Sequence, residues 1–130
     1  MKRSLLYNED NLPATQLQVL QLKDNFEARP VSVFGKSFDV SLFIMKRFEM
    51  AIEFWDILPK YDDFLPWMLE DSSLHLFTNQ DLLETYAEFK RKVALRSAQL
   101  HFKAMEILSS ELTCKQANAE FQSIVDAIDA

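Results

Sequence analysis

The chain has 130 residues with a single glycine and a single cysteine, and its 14 Lys and Arg stand against 20 Asp and Glu for a net charge of −6. That length suits one domain able to bury roughly two-thirds of its unfolded surface, and 48% hydrophobic with 26% charged residues is a globular balance. One cysteine excludes an internal disulfide framework and a zinc finger, one glycine excludes P-loops, dinucleotide-binding turns and most all-β architectures, and the acidic balance argues against nucleic acid and anionic membrane as partners.

The chain opens Met1-Lys2-Arg3-Ser4-Leu5-Leu6, which is basic but lacks an apolar run of signal-peptide length, and no uncharged apolar stretch of membrane-spanning length follows. A soluble, cytoplasmic protein is expected. Residues 8–13 carry turn chemistry ending at Pro13. Gln16-Leu17-Gln18-Val19 alternates polar and apolar, and Leu20-Gln21-Leu22 continues with its phase shifted. This reads as a short strand, with a short helix as the alternative. Pro30 ends the segment.

Residues 31–40 carry the clearest β signal: two β-rich arms flank Phe34-Gly35-Lys36, and the one glycine sits where a tight turn needs positive φ. An antiparallel hairpin is predicted, three-stranded if residues 17–22 pair with it. Such a small sheet must lie against helices. Ser41 can cap a helix over residues 42–58, which Pro59 stops. Leu42, Met45, Phe48 (or Glu49), Ile52 and Trp55 form one apolar stripe, and Ile44, Phe48, Ala51 and Phe54 a second beside it. So wide an arc is either central to the core or half given to a partner. Residues 60–77 read as irregular, with room for one short helix opened by Pro66.

Thr78-Asn79-Gln80-Asp81 opens a long helix over about residues 79–109, with acids early and bases late as the helix dipole favours. Leu82, Tyr86, Phe89, Val93, Ser97, Leu100, Ala104 and Leu108 mark its apolar face. At about 45 Å it is long for a compact domain of this size, so it either breaks near residues 95–98 or projects. Thr113-Cys114-Lys115-Gln116 is a capping box for a last helix to about residue 128, with Ala117, Phe121, Ile124 (or Val125) and Ile128 inward. The expected fold is thus mainly α with minor β, a single domain over residues 1–130. No repeat or linker divides it.

Asp62-Asp63 and Glu70-Asp71 bracket Trp67, with His75 nearby, which raises an acid pair or a metal site. No second histidine lies near and no calcium-loop spacing occurs, so a solvated loop is the better reading. Cys114 in a helical first turn is a small packed residue before it is a reactive thiol, and no serine stands in a G-x-S-x-G context. Neither catalytic residues nor a metal or other cofactor is expected. More telling are the eleven Phe and two Trp. Phe54, Trp55, Phe64, Trp67 and Met68 are candidate protein contacts, with Trp67 the favoured interface member because it follows Pro66 among acids on an irregular segment. Aromatics rimmed by acids describe a protein-binding patch. Residues 49–71 carry seven acids against Lys60 alone, whereas residues 81–103 are net basic. Copies that juxtapose these segments would self-associate.

A small acidic chain in which the hairpin with Phe34-Gly35-Lys36 at its turn runs straight into an aromatic helix, followed by helices to an acidic end, resembles the tail assembly chaperones of long-tailed bacteriophages. The resemblance lies in layout rather than in a sharp motif. It implies a non-enzymatic protein of the host cytoplasm that binds the tape measure protein, keeps it soluble and recruits tail tube subunits. The alternatives are a small acidic regulatory or inhibitory binding module, and a small enzyme using the acidic region around residues 62–75.

Overall fold

The computed structural model of the protein describes residues 12–130; the basic start and most of the turn expected over residues 8–13 lie outside the described residues. In chain order come α1 (Gln16–Glu27), β1 (Val31–Val33), β2 (Lys36–Phe38), α2 (Leu42–Glu53), a 3-10 turn at Trp55–Ile57, β3 (Leu65–Met68), β4 (Leu74–Phe77), α3 (Asn79–Leu108) and α4 (Cys114–Asp129). The fold is mainly α with minor antiparallel β. Two compact units emerge, one from Ala28–Ala94 and one from residues 12–27 with Leu95–Ile128.

In the Ala28–Ala94 unit, β1 and β2 form the expected hairpin, with Val33 opposite Lys36. Phe34 (φ 50°) and Gly35 (φ 76°) make its two-residue turn, whose twist matches the strands because both φ values are positive. Residues 17–22 add no third strand. Alternation along the arms buries Val31, Val33 and Phe38. Ser41 caps α2 as expected, its side chain accepting from the Ile44 amide at 3.2 Å. The helix stops at Glu53, short of the predicted end. Pro59 forces Leu58 into extended backbone, and the chain tightens into a 3-10 turn ahead of it.

Residues 60–77 correct the sequence reading, for β3 and β4 form a second antiparallel hairpin where an irregular segment and a helix at Pro66 were expected. Among the described residues each sheet has two strands, so every strand is an edge, the place in a sheet where proline is tolerated. The acids that suggested a loop are the turn residues. Asp62 and Asp63 (φ 48° and 67°) close a tight turn between Tyr61 and Phe64, and Ser72 (φ 67°) takes the left-handed position between β3 and β4. With one glycine in the chain, other residues occupy these positions, at about 1–2 kcal/mol each. The core centres on Phe48, whose ring stacks on Trp67 at 4.5 Å and on Tyr86 at 5.0 Å, with Phe38 and Phe89 within 5.5 Å.

In the other unit, residues 17–22 are helical within α1 rather than extended. The phase shift at Leu20 sets Val19, Leu22 and Phe26 on one helical face, and Thr15 and Gln18 cap the start reciprocally at 3.2 and 2.9 Å. α4 carries the predicted box between Thr113 and Gln116 and buries Ala117, Phe121, Val125 and Ile128. Phe121 meets Phe26 at 5.8 Å.

α3 is unbroken; residues 95–98 do not interrupt it. It serves the first core through Leu82, Tyr86 and Phe89, and the second through Leu100, Ala104 and Ile107. Between them the expected stripe slips by one residue, since Ser97 is exposed and Arg96 is buried. Arg96 donates to the Glu27 carbonyl at 2.8 Å, setting a cation at the negative end of α1, whose own last turn has no base. One turn earlier, buried Lys92 donates to the Ser32 carbonyl at 2.8 Å.

Candidate protein-binding groove

Phe43, Arg47, Met50 and Phe54 recur at spacings of four and three along α2 and its cap, so they share a face adjoining the one that sends Phe48 and Ala51 into the core. This face is turned outward: Phe43 is 72% exposed and Met50 59%. Ile57, 77% exposed, extends the apolar surface beyond the helix, while Leu65, Pro66 and Trp67 of β3 supply its other side. Together they border an open groove of about 770 Å³. Apolar surface of this extent on one side of a small unit marks a binding site more often than chance exposure does.

Among the described residues only two charged side chains line the groove, Lys46 and Arg47, and both are exposed cations. The Arg47 guanidinium lies over the Trp67 ring, 4.3 Å from its centroid, an attraction of the cation to the face of the ring. Neither cation belongs to an ion pair among the described residues.

The five predicted contact residues do not gather at one place. Phe54 is exposed and lines the groove. Trp55 is half-buried against the core, with the Lys60 ammonium 5.1 Å from its ring while that amine donates to the carbonyls of Trp55 and Leu58. Phe64 and Met68 are exposed but lie outside the groove lining. Trp67 is the correction. It is only 2% exposed, because strand alternation turns it inward onto Phe48 while Met68 points out. The groove residues missing from the predicted contacts include Phe43, Lys46, Arg47, Met50 and Ile57. The recurrence from Phe43 to Phe54 is a third stripe legible in the sequence.

The acidic region around residues 62–75 is dispersed by its turns. The Asp71 carboxylate accepts from the Ser73 hydroxyl at 2.5 Å and the Ser73 amide at 3.0 Å, which holds it below the usual carboxylate range. His75 turns away to Asp81, 2.8 Å from its Nε2, with its ring edge-on to Phe77. Thr85, fully buried, donates to the other Asp81 oxygen at 3.4 Å. Among the described residues no three His, Cys, Asp or Glu side chains gather as a metal site, and no helix is long and apolar enough to cross a membrane. Cys114 is half-buried at the first residue of α4.

Beside the groove helix, the Tyr86 hydroxyl donates to Glu49 at 2.9 Å. Burial, and then the Glu49 carboxylate, push its pKa up to about 12. No protein-family model, curated protein or solved structure matches the chain.

Proposed function

We propose that this chain is a non-enzymatic chaperone that binds a helical, apolar protein partner, and that it acts as a tail assembly chaperone on a phage tape measure protein in the host cytoplasm. The observation that carries the reading is the open apolar groove of α2 and β3, with Phe43, Met50 and Ile57 presented to solvent. Its helical side runs three turns, from Phe43 to Phe54, which suits one side of a partner helix. The net charge of −6 supports a shielding role, since acidic copies laid along an apolar partner keep the assembly soluble.

Co-expression with the tape measure protein of the same genome tests the reading. Soluble complex is expected with the native chain and not with a Phe43→Ser, Met50→Ser double variant, both judged by co-purification. Insoluble tape measure protein in both cases removes the chaperone role. The same groove also fits a regulatory module that sequesters one target, and stoichiometry separates the two: many copies per partner for a chaperone, one for a sequestering protein.

A further inference from the structure

Resting on the groove as a helix-binding site, we propose that its occupant is an acidic amphipathic helix, one whose apolar face is edged by carboxylates that meet Lys46 and Arg47. The argument is charge complementarity. The lining is apolar except for these two adjacent cations, and no carboxylate of the described residues pairs with either. Arg47 is held by the face of Trp67 at the groove floor, so its guanidinium is positioned before any partner arrives. An apolar occupant without acids would cover these cations and leave them unpaired, while a basic one would be repelled. The acids of residues 49–71 do not reverse this selection. They are absent from the lining, and none of them forms an ion pair with Lys46 or Arg47.

The same charges argue against a second copy docking groove to groove, because a two-fold pairing would set Lys46 and Arg47 against themselves. Phe43 to Phe54 spans about 16 Å, so three to four turns of partner helix suffice.

The probes are three fluorescein-labelled leucine–alanine amphipathic peptides of about 14 residues, identical but for two positions edging the apolar face, which are both Glu, both Gln or both Lys. Anisotropy titrations are run on the native chain and on a Lys46→Glu, Arg47→Glu variant, with Lys46→Glu alone as a second variant that leaves the Trp67 stack intact. The Glu peptide is expected to bind the native chain about three- to tenfold more tightly than the Gln peptide, the sum of two partly exposed ion pairs. The Lys peptide should be weakest, and the order should invert on the double variant. Equal binding of all three overturns the acidic preference and leaves the groove standing. Binding by none removes the groove and this inference together. A dimer in sedimentation that Phe43→Ser converts to monomer assigns the groove to a second copy instead.

Discussion

The two units solve burial differently. In Ala28–Ala94, two short hairpins and α2 converge on stacked rings, with Phe48 touching Trp67, Tyr86, Phe38 and Phe89. In the unit of residues 12–27 with Leu95–Ile128, helices pack through Val19, Leu100, Ala104, Ala117 and Val125 around the Phe26–Phe121 contact. Two-stranded sheets are marginal alone and hold few side chains. Large rings let so little backbone enclose a core, because each removes more apolar area than an aliphatic residue does. Small residues at helix contacts do the opposite, letting backbones approach. The hairpin unit consequently spends its α2 on two faces, one inward and one along the groove, whereas α4 keeps its apolar side inward.

The largest test of this contrast is Trp67→Ala, expected to cost about 3–5 kcal/mol in urea unfolding followed by circular dichroism. Phe121→Ala should lose a similar amount through the other core. A Trp67→Ala loss below about 1 kcal/mol would mean that the stacked rings are not the centre of the hairpin unit.

A pH series separates the units further. Tyr86 is protonated more tightly in the folded chain than in the unfolded one, so its contribution is full below pH 10 and is lost as pH rises from about 10 to about 12. Tyr86→Phe should remove that part of the alkaline decline; an unchanged profile would assign the decline to other groups. Smaller and opposite in sign is Phe34→Asn at the first hairpin turn. Phe34 is exposed at φ 50°, a conformation Asn tolerates better, and a gain of about 1 kcal/mol in urea unfolding is expected. A loss would show that the ring has packing the turn depends on. Smallest is Phe43→Ser in the groove, expected within about 0.5 kcal/mol of the native chain by thermal melting. A larger drop would place Phe43 in the core side of the comparison.

Legibility in the sequence follows the local signals rather than the two units. α3 and α4 are plain in the sequence, because Thr113-to-Gln116 capping and the long stripe from Leu82 act locally over many residues. The first hairpin was readable because Gly35 is the one residue free to take positive φ cheaply. The second was not. Its turns use Asp62, Asp63 and Ser72 in place of glycine, and Pro66 reads as a helix start unless the strand is known to be an edge. α1 was misread for a related reason: a helix with few apolar residues alternates over any short window, and its Thr15–Gln18 box was the stronger signal. At the site, an aromatic helix with a spare face was legible, but not the inward turn of Trp67, which follows from strand alternation in an element the sequence did not disclose.

The placement of the two indoles governs how unfolding of this chain is observed. Trp55 and Trp67 are its only tryptophans, and both lie in the Ala28–Ala94 unit. Intrinsic fluorescence excited at the indole band therefore reports the ring-stacked core and is blind to the helical core built on Phe26 and Phe121. Backbone ellipticity sees both. Overlaid denaturation curves from the two signals thus ask, without any added label, whether the cores melt as one cooperative transition or two.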